Sequence, residues 1–266
     1  MKIIDRDCPL CGSNAAQRVP YGPDQWPMVR CGQCDMVYLK RAPDVTELFE
    51  NIAWEKSRTI EDKRRSVKRG VARKLSRLTR KRLHVGPRKQ PSTLIRQYVG
   101  SGNVLDIGCG PGGHALELPT PYVPYGIEVS KALADEGQPH FAKRGGCIVN
   151  LDALGGLRTF EDEMFSGIIM RSFLEHDIHP RPILEESSRT LKRGGIIVIK
   201  VPNYGSWNRA LRGDNWCGMR FPDHVNYFTP TTLSRMVRET GLKVHKFGLL
   251  DRLPTSDNMW MIAVKP

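Results

Sequence analysis

The sequence predicts an α/β fold: a mostly parallel sheet of seven strands ending in an antiparallel hairpin, with a small cysteine-rich module in front of it. Three observations carry this prediction. From Ser92 onward, short apolar runs alternate with helical patterns, the order that puts helices on both faces of a parallel sheet. The first of those runs ends in a glycine-rich turn, Gly108-Cys109-Gly110-Pro111-Gly112-Gly113. Two Cys-x2-Cys pairs, Cys8/Cys11 and Cys31/Cys34, precede all of this.

The strands are expected at 103–107 (NVLDI), 124–129 (PYGIEV), 147–150 (CIVN), 166–170 (SGIIM), 195–201 (GIIVIKV), 242–249 (LKVHKFGL) and 259–264 (MWMIAV). Helices are expected at 181–192 and 230–241, and another is expected to open near His114. Only a short loop separates the last two strands, which makes them an antiparallel pair at the sheet edge. Composition divides the chain into a cysteine module at 1–50, a basic helical segment at 51–91 and a larger domain at 92–266.

With 266 residues, 39% hydrophobic and 26% charged, the chain can fill a core, and wholesale disorder is excluded. No run approaches the roughly 18 apolar residues of a membrane-spanning helix. The first residues carry no apolar stretch of signal-peptide type, so the expectation is a cytoplasmic protein whose seven cysteines stay reduced. The net charge of +13 is local. Residues 56–90 hold fifteen Lys/Arg and two acids, and elsewhere 26 bases face 26 acids.

The glycine turn carries the strongest chemical signal. Glycines let backbone approach a ligand closely and present N–H groups to it. Gly108, Gly110 and Gly113 also satisfy G-x-G-x-x-G, so a Rossmann-like dinucleotide site is one reading. Asp106, two residues before the first glycine, favours a ligand with cationic amino and sulfonium groups and would repel a pyrophosphate. Glu128 follows the second strand, where an acid accepts ribose hydroxyls. Asp152 follows the third, placed to meet an adenine amino group.

Together with Val104-Leu105-Asp106-Ile107-Gly108-Cys109-Gly110-Pro111-Gly112-Gly113, three further stretches complete a pattern. They are Met170-Arg171-Ser172-Phe173-Leu174-Glu175-His176, Arg189-Thr190-Leu191-Lys192-Arg193-Gly194-Gly195 and Val201-Pro202-Asn203. From about 92 to 266 the chain resembles the class I S-adenosylmethionine-dependent methyltransferases. Arg193 stands where that family usually has proline, and Ser166-Gly167 where it often has aspartate. The resemblance implies S-adenosylmethionine as cofactor. It implies Asp106, Gly108, Cys109, Gly110, Gly112 and Gly113 at the methionine end, Glu128 at the ribose, Asp152 with Ala153 at the adenine, and Arg171 beside them.

Cys8, Cys11, Cys31 and Cys34 have the spacing of a closed, four-thiolate structural zinc site, with a disulfide or redox pair as the alternative. The module resembles the N-terminal zinc-binding domain of some sugar methyltransferases of glycan pathways. Cys109 and Cys147 read as packing residues, and Cys217 as a loop residue.

For the acceptor side, two clusters lie where strand C-termini point. One is Glu175-His176-Asp177-Ile178-His179-Pro180. The other runs from Trp216 to Phe228, aromatic-rich, and its Pro222-Asp223-His224-Val225-Asn226-Tyr227-Phe228 resembles the P-x-H-x-x-x-F lid of one methyltransferase subgroup. His224 is the first candidate for a general base and His176 the second; a magnesium held by His176, Asp177 and His179 is a further alternative. After strand four the chain reads Arg171-Ser172-Phe173-Leu174 rather than the Asn/Asp-Pro-Pro-Tyr/Phe turn of amino-methylating DNA enzymes, which argues against that class.

The basic segment carries Ile60, Val67, Val71, Leu75, Leu78 and Leu83 at helical spacing. It reads as a packing helix with solvated charges, as a peripheral contact with an anionic membrane or lipid-linked substrate at the inner membrane surface, or as a nucleic-acid face. The expectation is O-methylation of a sugar hydroxyl on a nucleotide- or lipid-linked glycan. An RNA methyltransferase and a catalytically silent cofactor-binding module are the alternatives.

Overall fold

The computed structural model describes residues 2–44 and 89–266. The basic segment therefore lies almost wholly outside the described residues, including its predicted apolar stripe from Ile60 to Leu83.

Three sheets organise the described residues. The N-terminal module consists of β1 (Ile3–Asp5), β2 (Ala16–Arg18), β3 (Met28–Cys31), β4 (Val37–Leu39) and β5 (Arg41–Pro43). The chain then resumes at helix α1 (Pro91–Tyr98) and alternates through β6 (Gly102–Ile107), β7 (Tyr122–Ile127), α2 (Lys131–Ala142), β8 (Ile148–Val149), α3 (Ala153–Arg158), β9 (Phe165–Arg171), α4 (Pro180–Thr190) and β10 (Leu191–Pro202). An insertion follows, with α5 (Trp207–Arg212) and β11 (Asn226–Tyr227), then α6 (Pro230–Glu239), β12 (Lys243–Phe247), α7 (Leu249–Arg252) and β13 (Asn258–Val264).

Seven strands form the main sheet in the order β12-β13-β10-β9-β6-β7-β8. β10, β9, β6, β7 and β8 pair in parallel, and β13 runs antiparallel to both β10 and β12. The predicted antiparallel pair is present, with β13 inserted between β10 and the edge strand. β6 and β9–β10 are buried on both faces, as their continuous apolar text requires. Val104, Ile169, Val198 and Ile262 pack under α1 on one side; Leu105, Ile168, Ile197 and Met261 pack on the other.

The helix expected near His114 does not form. Residues 110–117 are a series of turns. The amides that would begin that helix, those of His114 and Ala115, donate to the Asp106 carboxylate instead, and Pro119 and Pro121 end the segment soon afterwards.

The cysteine module is not a separate bead. β11, from the insertion after β10, pairs antiparallel with β4 and completes a four-stranded sheet in the order β11-β4-β3-β2. Trp26, Met28 and Leu39 share one core with Tyr204, Trp216, Met219 and Tyr227. The rings of the insertion, expected to face the acceptor, are mostly interior: Trp216, Tyr227 and Phe228 are all buried. An apolar patch cut out of one segment needs another to cover it, and the module and the insertion do this for each other.

Candidate functional site

β6 runs into the glycine turn, which β7 holds in place: the amides of Gly108 and Cys109 donate to the Ile127 carbonyl (2.9 and 3.2 Å). Gly108, Gly110 and Gly113 all have positive φ. At Gly113 a Cβ would stand 2.6 Å from an Asp106 carboxylate oxygen, so only glycine fits. Around Gly110 and Gly112 a Cβ would meet nothing within 4 Å. The turn thus presents bare backbone to open space, as a cradle for a bound ligand must.

Asp106 is buried, and burial pushes its carboxyl up to about 6 while the turn amides of His114 and Ala115 and the nearby His114 oppose that rise. Glu128 links the second strand to the turn: Oε2 accepts from Gly110 N (2.8 Å) and Oε1 from Ser130 N (2.9 Å). Each carboxylate oxygen keeps a second lone pair for a ligand. Asp152 caps α3, accepting from Gly155 N at 2.8 Å. Asn150, which the sequence reading passed over, ties the third loop to the second by donating to the carbonyls of Glu128 and Val129 (2.8 and 2.9 Å). Its signal was only its place two residues before Asp152. Arg171 is exposed at the end of β9, with Nη1 2.9 Å from His114 Nε2. Cys109 is buried, with its sulfur 2.5 Å from where a Cβ on Gly126 would stand; it packs the turn onto β7.

On the acceptor side the structure brings His176 and His224 together, with ring centroids 4.5 Å apart and planes at 87°. His176 Nδ1 lies 2.9 Å from Asp223 Oδ1, and Asp223 pairs with Arg220 at 2.7 Å. Burial disfavours a charge on His176, but the Asp223 carboxylate outweighs it and raises the pKa; burial and the neighbouring His176 push His224 well below its ordinary value. His224 is therefore neutral near pH 7. Glu175 is buried against them. Phe173 connects this cluster to the cofactor side, its ring 3.3 Å from the Cβ position of Gly108.

Asp177 and His179 do not join His176 as ligands. Asp177 Oδ1 accepts from the His179 amide (2.7 Å), and the group of ligand-type atoms found here is Glu175, His176 and His224. The described residues therefore do not assemble His176, Asp177 and His179 into the set expected for magnesium.

The four module cysteines also converge. Their sulfurs lie 3.4 Å apart for Cys8–Cys34 and 3.5 Å for Cys11–Cys31, close to the roughly 3.8 Å edge of a tetrahedral zinc–thiolate site. Burial opposes ionisation of Cys31, yet the amides of Gln33 and Cys34 outweigh it and bring its thiol down to about 7. None of the four is in a disulfide.

Strand order, glycine turn and the acids after successive strands together define a class I S-adenosylmethionine-dependent methyltransferase. More narrowly, the chain belongs to the methyltransferase domain family whose profile matches residues 63–246, which sets the dinucleotide reading aside. An uncharacterized protein of Methanocaldococcus jannaschii, MJ1123, is 28% identical over 149 residues, 56% of this chain and 68% of that protein. A SAM-dependent methyltransferase from Archaeoglobus fulgidus is similar in fold at 22% identity, covering 65% of this chain and 92% of that one with a TM-score of 0.50. The geranyl diphosphate C-methyltransferase of Streptomyces coelicolor, solved with Mg2+, geranyl diphosphate and S-adenosyl-L-homocysteine, is similar at 17% identity, covering 66% and 76% with a TM-score of 0.51. At these identities the likeness is one of fold. Among the described residues, no helix is long and apolar enough to cross a membrane.

Proposed function

We propose that this methyltransferase methylates a hydroxyl oxygen of a sugar carried on an anionic group, a nucleotide or a lipid-linked glycan. The observation that carries the reading is the cluster of Glu175, His176, Asp223 and His224 beyond the C-terminal end of β9. An alcohol must lose its proton as it attacks, and two imidazoles with a buried carboxylate beside the cofactor crevice suit that task. S-adenosylmethionine, when bound, supplies an electrophilic methyl group. Asp106 and the bare glycine turn hold its amino-acid end, Glu128 its ribose hydroxyls, and Asp152 with Ala153 its adenine. The chain's remaining task is to orient the acceptor and exclude water.

Support for the sugar class comes from the cysteine module, which resembles that of sugar methyltransferases, and from the turn after β9. Zinc at Cys8, Cys11, Cys31 and Cys34 is part of the proposal: all four thiolates are used, so the ion would hold the module's shape and leave no position for substrate.

The test is transfer of label from S-adenosylmethionine to nucleotide sugars and lipid-linked glycans. His176→Ala and His224→Ala should lower turnover by about 10²–10⁴ while S-adenosylhomocysteine affinity holds. Label entering RNA instead would overturn the sugar class, and no turnover with any acceptor despite tight cofactor binding would favour a silent module.

A further inference from the structure

Glu175 and His176 come from the loop after β9, and His224 comes from the insertion; one ligand atom from each lies within 4.8 Å of the others. We propose that these three side chains form a divalent-metal centre separate from the cysteine cluster, taking an ion of borderline softness such as zinc or cobalt.

Both rings are already arranged as metal ligands usually are. His176 Nδ1 faces the Asp223 carboxylate oxygen at 2.9 Å and the Asp223 carbonyl at 3.0 Å. His224 Nδ1 faces the Gly218 carbonyl at 2.9 Å. These partners are acceptors, so each Nδ1 carries the proton and each Nε2 keeps its lone pair. A ring that donates one N–H to a carboxylate or carbonyl is held in the tautomer and orientation a metal needs.

The third ligand is short of a partner. Glu175 is 1% exposed, and its Oε2 is buried with no hydrogen-bond partner in the protein. A buried polar atom left unpaired costs about 1–3 kcal/mol, and more for a charged group. A cation would satisfy it. Asp223 Oδ2 also lacks a hydrogen bond but is ion-paired with Arg220 at 2.7 Å, and Oδ1 faces His176; Lys200 Nζ donates to Ser172 Oγ at 2.8 Å and reaches Glu175 only through space, so Glu175 Oε2 is the anionic atom free to take an ion. Two imidazoles and one carboxylate leave further positions open, as in catalytic rather than structural zinc sites.

The two loops are fixed to each other before any ion arrives. The amides of Val225 and Asn226 both donate to the Glu175 carbonyl (2.8 and 3.1 Å), and Asn226 Nδ2 donates to the carbonyls of Leu174 and Asp177 (2.8 and 2.6 Å). An ion about 2.0–2.2 Å from each ligand needs the ligands about 3–3.5 Å apart.

The proposal concerns ion binding and stands on this geometry, whatever the acceptor. For a hydroxyl acceptor, an ion here would take the place of a histidine base: as a Lewis acid it would lower the hydroxyl's pKa, and the proton would pass to solvent. The experiment uses the full chain, loaded with zinc, dialysed and analysed for metal. Wild type should retain one equivalent more than Glu175→Gln or His224→Gln, with S-adenosylhomocysteine binding as the check on folding. In a second measurement, cobalt added to metal-stripped wild type should broaden the ring signals of His176 and His224, and the same addition to Glu175→Gln should leave them sharp. Equal metal content in wild type and folded Glu175→Gln, or undisturbed histidine signals, would overturn the proposal. Neither readout involves methyl transfer, so a wrong acceptor class and a wrong metal site fail separately.

Discussion

At Gly113 one missing methyl group decides how the cofactor turn is built. The residue sits at φ +43°, and a Cβ would press on both Asp106 and the Cys109 side chain. Gly113→Ala should therefore destabilise the chain by about 1–3 kcal/mol and weaken S-adenosylhomocysteine binding, which thermal unfolding and calorimetry would read together. Asp106 makes a second prediction at the same scale. Burial raises its carboxyl to about 6, above the ordinary 3.8, so desolvation costs stability as pH rises from about 4 to about 6. The proposed ligand amine reverses that preference by favouring the carboxylate. S-adenosylhomocysteine affinity should climb with pH up to about 6 and level off above 7, and Asp106→Asn should flatten the profile. A flat wild-type profile would remove Asp106 from the ligand's amino group. The residue types at this turn were legible in the sequence, because glycines and an acid after an apolar strand have few other uses. What Asp106 does with its lone pairs was not legible, since it accepts from His114 and Ala115, amides the sequence reading had assigned to a helix.

Among the elements, β11 is two residues long yet joins the halves of the molecule. Arg6 clamps it. Its buried guanidinium donates to the carbonyls of Leu39 (3.3 Å), Val225 (3.0 Å) and Ile178 (3.2 Å) and to Asn226 Oδ1 (2.7 Å). Burial pulls its pKa down to about 10, with Asp177 opposing, so it stays charged near neutral pH. A lysine has one nitrogen and cannot serve four acceptors spread over three segments. Arg6→Lys should lower the melting temperature and cut kcat at least tenfold, while S-adenosylhomocysteine affinity is unchanged because none of these bonds touches the glycine turn. Equal losses in cofactor affinity and turnover would mean that Arg6 supports the fold generally. Arg6 offered no sequence signal: a lone arginine before a cysteine pair reads as surface. Arg189 was likewise visible only as a letter of a turn motif. It holds the carbonyls of Phe160 and Leu157 (3.0 Å each) and pairs with Asp162 and Glu186.

Across the whole molecule, the charge and the module make separate contributions. Neutralising Arg64, Arg65, Lys68 and Arg69 should raise the KM for an anionic acceptor a few-fold at low salt. The effect should fade as ionic strength approaches 1 M, where screening acts within about 3 Å; a salt-independent change would point to packing instead. The sequence by itself determined the class of fold, the glycine turn with its acids and the converging cysteines, because each depends on local spacing: strand periodicity, backbone freedom at glycine, and knuckles that bend within four residues. Only the tertiary structure decided that β4 pairs with β11, that Arg6 reaches from one end of the chain to residue 226, and that Glu175 and His176 face His224. Those groups are tens to hundreds of residues apart in the chain. Their meeting depends on which apolar surfaces must cover one another and which buried polar groups must find partners, and residue spacing does not encode either.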